Sequence, residues 1–157
     1  MKTLFILFFT GLTFGIQAQD VPEPEEAVIA FFNAFHQQDT LALRDLVHNK
    51  IKMQSIGEAR NGDFVITNSN FNEFLNSIAA IPESTIFQEQ ILDYRVQTDG
   101  VMANVWTPYE FYINKKRSHC GVTNFQLILN DNQWKIFYIV DTRKRKDCDS
   151  LKFEDYE

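Results

Sequence analysis

Val28, Phe31, Phe32 and Phe35 fall at i, i+3, i+4 and i+7, which is one apolar stripe of an amphipathic helix. Pro22 and Pro24, mixed with Glu23, Glu25 and Glu26, predict its start: proline suits a first helical turn, and acids suit the positive end of the dipole. Asp39 or Thr40 suits the cap of a second, shorter helix carrying Leu41, Leu43, Leu46 and Val47. Ile51, Met53 and Ser55 alternate with Lys52 and Gln54, as in a short strand. The polar stretch after Gly57 has Asn61-Gly62 as its turn signal, and residues 64–67 are either loop or a second short strand. Asn70 with Glu73 resembles a capping box. Behind it Phe71, Phe74, Leu75 and Ile78 repeat the helical stripe, which Pro82 stops.

From Ile86 onward the pattern is that of strands. Four runs (86–98, 101–113, 118–130 and 133–143) are separated by Asp99-Gly100, by residues 114–117 and by Asp131-Asn132. Asp-Gly between β-rich runs is a strong hairpin signal. Helices first and an antiparallel meander afterwards give an α+β layer architecture.

The first 18 residues stand apart. Lys2, an apolar run over residues 4–16 and a small residue at Ala18 form a secretory signal pattern, with cleavage expected after Ala18. The run is shorter than the roughly 17–25 residues that a membrane span needs. Residues 19–157 are then expected as one exported domain, periplasmic or extracellular, with no membrane attachment after cleavage. Losing Lys2 takes the net charge from −6 to −7. That balance argues against a nucleic-acid partner, because phosphates require a basic face. The 157 residues include 15 Phe, 5 Tyr and 2 Trp, too aromatic for a disordered chain.

The segment EEAVIAFFNAFHQQDTLALRDLVHNKIKMQSI (residues 25–56) resembles the opening of nuclear-transport-factor-2-like (NTF2-like), or SnoaL-like, proteins. The resemblance runs on through the third helix and the four long strands. VWTPYEFYINKKRSHCGVTNFQLILNDNQWKIFYIVDTRK (residues 105–144) is similar more narrowly to secreted bacterial members of that family that carry the label lumazine-binding, which is a name and not evidence of a ligand. The resemblance implies a cone-shaped fold, three N-terminal helices packed on a curved antiparallel sheet, in a homodimer. It implies no particular activity, because that scaffold hosts isomerases, dehydratases, cyclases and binding modules.

Hairpin arithmetic gives a candidate site. If Ile113 pairs with Ser118, His119 faces Tyr112, and Glu110 is the diagonal neighbour of His119. If Asn130 pairs with Gln133, Phe125–Tyr138, Leu127–Ile136 and Leu129–Trp134 share that face. Glu110, Tyr112 and His119 then form the polar end of a wall lined by Trp106, Phe125, Trp134 and Tyr138, as in a small-molecule site. With Glu110 buried, its pKa is expected to rise unless a protonated His119 draws it down. The opposite face, carrying Val105, Tyr109, Val122, Phe137 and Ile139, becomes the candidate dimer surface. Glu89, Asp93 and Arg95 would sit awkwardly on the lining face near Trp106, which leaves the inner face open.

Other constellations are weaker. Asp93 and Asp141 read as solvated strand charges on opposite faces, and Arg143 to Lys146 as a solvated strand end. His36 flanks the first helix and His48 closes the second. None of the three histidines has metal-ligand spacing, and no metal or cofactor is expected. Cys120 and Cys148 allow one disulfide in an exported protein. Cys120 lies opposite Arg143 by register, so the tail has to fold back to meet it; a buried thiol with a free tail cysteine is the alternative.

Three functions compete. The first is a non-catalytic cone that binds a small apolar or aromatic molecule. The second is an isomerase or dehydratase with Glu110, Tyr112 and His119 as proton handlers. The third is a dimeric interaction module whose cone is filled by its own Phe side chains.

Overall fold

A computed structural model describes residues 21–148. The expected signal segment and its cleavage point lie outside the described residues. Three helices, α1 (Pro24–His36), α2 (Thr40–Leu46) and α3 (Phe71–Ala79), pack on seven strands: β1 (Val47–Glu58), β2 (Phe64–Ser69), β3 (Phe87–Ile91), β4 (Arg95–Thr98), β5 (Met102–Ile113), β6 (Lys116–Asn130) and β7 (Gln133–Arg143). The architecture is the α+β cone. No helix among the described residues is long and apolar enough to cross a membrane.

Local chemistry explains the helix ends. Pro24 begins α1 ahead of Glu25 and Glu26, and the Val28, Phe31, Phe32 and Phe35 stripe is buried. Asp39 caps α2 by accepting from the N–H groups of Leu41 and Ala42 at 3.1 and 2.9 Å. Asn70 does the same for α3 through Asn72 and Glu73. α2 stops at Leu46, so His48 belongs to β1 and does not close a helix.

The sheet runs β2-β1-β7-β6-β5-β3, with β4 also paired to β5. It is mixed, because β1 from the helical half of the chain lies parallel to β7 while all other neighbours are antiparallel. Residues 86–98 are two strands. Asp93 interrupts them, its carboxylate accepting from the Tyr94 N–H at 2.9 Å and from Arg95 Nε at 3.1 Å.

Two registers differ from the hairpin arithmetic, and both determine which face each side chain takes. In the β5–β6 hairpin Ile113 pairs with Lys116, and a bulge between Phe111 and Tyr112 then sets Phe111 opposite His119 and Glu110 opposite Cys120. A one-residue slip moves every side chain to the other face. In β6–β7 the expected Leu129–Trp134 and Leu127–Ile136 pairs are present, but an extra residue at Phe137 sets Phe125 against Ile139 and not Tyr138.

The inner face therefore carries Val105, Tyr109 and Ile139, buried to 0, 2 and 5% exposure. These three residues are core, which removes them from the expected dimer surface, whereas Val122 and Phe137 of that set are half-buried. Phe31 and Phe32 of α1 each meet the Phe125 ring edge-on at 5.5 Å, which ties the helical layer to the sheet.

The Sγ atoms of Cys120 and Cys148 are bonded, with Cα atoms 5.8 Å apart. Cys120 pairs with Lys144, one residue beyond the expected Arg143. The bridge closes a 28-residue separation, so reducing it should lower stability by about 3 kcal/mol through a freer unfolded chain. Thermal melting with and without a thiol reductant should show a Tm lower by about 10 °C; an unchanged Tm would mean that the bridge constrains nothing.

Candidate functional site

The helical layer does not fill the cone. A cavity of about 610 Å³ lies between the inner face of the sheet and helices α1 and α3, with the exposed Asn68, Asn70 and Glu73 in its lining. Its apolar lining is set by the two helical stripes and by the alternation of β5 to β7. Phe74 of α3 lies nearly parallel to Phe31 and Phe35 of α1, at 6.4 and 6.1 Å. Phe111, Phe125 and Ile139 supply the sheet side.

One wall is polar. Glu89, Tyr109, His119, Asp141 and Arg143 come from four strands, each at an inward position. The Tyr109 hydroxyl donates to the Thr142 carbonyl at 2.9 Å and lies 3.5 Å from Asp141 Oδ2. Arg143 Nε donates to the same Oδ2 at 2.7 Å. The Asp141 side chain is 15% exposed and that of Arg143 60%, so this pair spans from the cavity wall to the rim. Burial, with the Asp141 charge behind it, pushes the Glu89 carboxyl up to about 8. Burial and Asp141 likewise raise the Tyr109 phenol.

The His119 ring stacks on Phe111 at 4.9 Å and meets Tyr109 edge-on at 5.8 Å. Burial, and then the Arg143 charge, lowers its pKa, so it is neutral at pH 7. His36 is more than a polar flank of α1: its Nε2 accepts the Glu89 N–H at 2.9 Å and so pins β3 to the helix. Burial lowers its pKa too.

Of the seven residues expected to line a site, the structure brings His119 and Phe125 into the cavity. Glu110 and Tyr112 are on the opposite face, away from His119. There the Tyr112 hydroxyl and Arg117 Nη1 each donate to the Glu110 carboxylate at 2.6 Å. Tyr112 and then Arg117 hold that carboxyl below its ordinary pKa, reversing the rise expected from burial. Trp106 is 39% exposed on this outer side. Trp134 is buried under the start of α1, its Nε1 donating to the Pro22 carbonyl at 2.8 Å. Tyr138 donates to Gln54 of β1. No cluster of three or more His, Cys, Asp or Glu suited to a metal occurs among the described residues.

Glu89, Tyr109 and Arg143 were missed as a constellation, and Asp141 was read as a solvated charge. The available signal was Glu89 itself: Phe87, Glu89 and Ile91 share one face of β3, and an acid in an apolar alternation is out of place on a purely structural strand.

Solved structures share this fold. A Mycobacterium tuberculosis protein of unknown function matches with a TM-score of 0.62 at 14% identity, covering 80% of this chain and 72% of its own. A proposed dehydratase of the NTF2-like family from Streptomyces avermitilis gives 0.57 at 17%, covering 76 and 92%. A proposed ketosteroid isomerase from Shewanella frigidimarina gives 0.55 at 14%, covering 75 and 93%. The chain has the NTF2-like fold. No protein-family model and no curated protein sequence matches it. At these identities the NTF2-like likeness extends to the fold and not to the chemistry.

Proposed function

We propose that this NTF2-like chain is an exported domain that binds a small, largely apolar or aromatic molecule in its cone, without a catalytic duty. The supporting observation is the cavity of about 610 Å³, with Phe31, Phe35, Phe74, Phe111, Phe125 and Ile139 in its lining, beside the polar wall and a second polar side from Asn68 to Ser77. That volume suits a drug-sized ligand. It also argues against a cone filled by the protein's own Phe side chains. Export rests on the signal pattern of residues 1–18. The homodimer belongs to the same reading, and its surface is now the convex outer face, where Trp106 and Met102 are exposed.

The enzyme reading keeps one specific support. A carboxyl near pH 8 beside a charged Asp141 is the kind of group that moves protons at neutral pH. Its proton handlers would be Glu89 and His119. The trio of Glu110, Tyr112 and His119 is divided between two faces of the sheet.

Ser77 of α3 is exposed and borders the cavity. Ser77→Trp should obstruct the cone while leaving the core intact. Protein exported from its host would be extracted and its small-molecule content compared with that of the variant by mass spectrometry. At least a tenfold loss of the co-purifying compound is expected. Equal content in both proteins, or none in either, would defeat the reading.

A further inference from the structure

The hydrogen bonds already made on the polar wall limit what a ligand can be offered there. The Tyr109 proton is committed to Thr142, and Arg143 Nε to Asp141. The Glu89 N–H is committed to His36. The Glu89 carboxyl, in contrast, makes no hydrogen bond to any described residue, although it lines the cavity. His119 uses Nδ1 toward Ser118 Oγ, 3.2 Å away, which leaves its other ring nitrogen to the cavity. What remains open is mostly acceptor: the Glu89 carboxyl, the Tyr109 oxygen lone pairs and, in the tautomer whose Nδ1–H donates to Ser118, the other imidazole nitrogen of His119, with the Arg143 Nη groups left as donors. The rings of Phe31, Phe35 and Phe74 from α1 and α3 line the same cavity, and aromatic rings attract positive charge. Glu73 in the lining adds a further acid.

We propose that the ligand is a hydrophobic organic amine, its ammonium held by the Glu89 carboxylate with Tyr109 and His119 as further acceptors, and its apolar body against Phe31, Phe35 and Phe74. This rests on the reading that the cone binds a small molecule. An anionic ligand fits poorly, because the cation on this wall, Arg143, is already bonded to Asp141 and lies mostly at the rim. A neutral carbonyl would find its donors there in a protonated Glu89 and in the Nη groups of Arg143.

The proton balance makes the idea measurable. Near neutral pH Glu89 holds its proton, so an arriving ammonium ionises it and that proton passes to the buffer. Affinity should rise close to tenfold per pH unit from pH 6 to 8 and then level off until the amine itself deprotonates. The groups facing Glu89 are His36 from α1, Tyr94 before β4, Tyr109, His119, Asp141 and Arg143. Both histidines have pKa values lowered from the ordinary 6.5 and both tyrosines raised ones, so none of these four supplies the proton at pH 7 and above.

The test is calorimetric titration of the purified protein with 2-naphthylmethylamine, 2-naphthylmethanol and 2-naphthoate, in two buffers of different ionisation enthalpy. The amine should bind at least tenfold tighter than the alcohol at pH 7.5 and release close to one proton at pH 7. Glu89→Gln should cost the amine at least tenfold more than it costs the alcohol. Should that variant not fold, the ranking and proton count on the unaltered protein decide alone. Alcohol or naphthoate binding as tightly as the amine, or amine binding without proton release, would overturn the proposal while leaving a binding cone in place. If none of the three binds, the cone reading falls and the amine with it.

Discussion

Gly121→Ala should unfold a large fraction of this protein. Gly121 is buried on β6 beneath the Thr142 carbonyl, and an added Cβ would overlap that oxygen and crowd the carbonyl carbon at 2.8 Å. The obstruction is backbone, so no rotamer change relieves it. Moving β7 away would break the Tyr109–Thr142 hydrogen bond and the bond from the Val122 N–H to Thr142 Oγ1. It would also strain the paired bonds between Cys120 and Lys144, 2.9 and 2.8 Å long. Overpacking costs about 1–3 kcal/mol and a lost buried hydrogen bond a similar amount, so about 4 kcal/mol is expected in total. Against a typical stability of about 5–15 kcal/mol that is a large share. Urea denaturation measures it. Gly57→Ala is the control, because nothing lies within 4 Å of its Cβ position and its φ is not left-handed; it should change stability by less than about 0.5 kcal/mol. A loss below about 1 kcal/mol for Gly121→Ala would refute this packing.

The same strands show how far the sequence could be read. The helices were legible from different signals: stripe and Pro24 for α1, the Asp39 cap for α2, whose end lies before the expected Val47 and His48, and stripe, cap and breaker together for α3, where Asn70 caps and Phe71, Leu75 and Ile78 are buried. The long strands were legible from their alternation, save the break at Asp93; β2, which the pattern leaves as loop or strand, is a strand over Phe64–Ser69. Facing was not legible. In a strand one extra residue exchanges the two faces, and an Asn114-Lys115 turn with both residues at positive φ gave no reliable register for β5–β6. The bulges at Phe111/Tyr112 and at Phe137 complete the change. The hairpin arithmetic thus unites Glu110 and His119, which the sheet separates. The parallel β1–β7 contact joins residues about 85 positions apart in the chain, beyond the reach of any local pattern. Asp141 and Arg143 could be recognised as site residues only once β7 was placed against Tyr109.

Glu89 carries the second large effect, on stability against pH. Its carboxyl ordinarily titrates near 4.5 and in the fold near 8. Between those values the native state keeps a proton that the unfolded chain has lost, so stability falls as pH rises. At about 1.4 kcal/mol per unit, the penalty by pH 8 reaches about 4 kcal/mol, and above pH 8 it levels off. His36 and His119 act in the opposite sense. Their lowered pKa values mean that stability is lost on acidification below their ordinary value of 6.5, so their contribution is confined to the acid side. The interval from pH 7 to 8 isolates Glu89. Glu89→Gln removes the titrating group and keeps its shape. The difference in unfolding free energy between variant and unaltered protein should grow in favour of the variant from pH 5 to pH 8, approaching about 4 kcal/mol. Guanidinium melts at half-unit pH steps give that difference directly. A difference that stays flat across the range would mean that Glu89 ionises in the fold as freely as in the unfolded chain, and that the polar wall does not hold a proton at neutral pH.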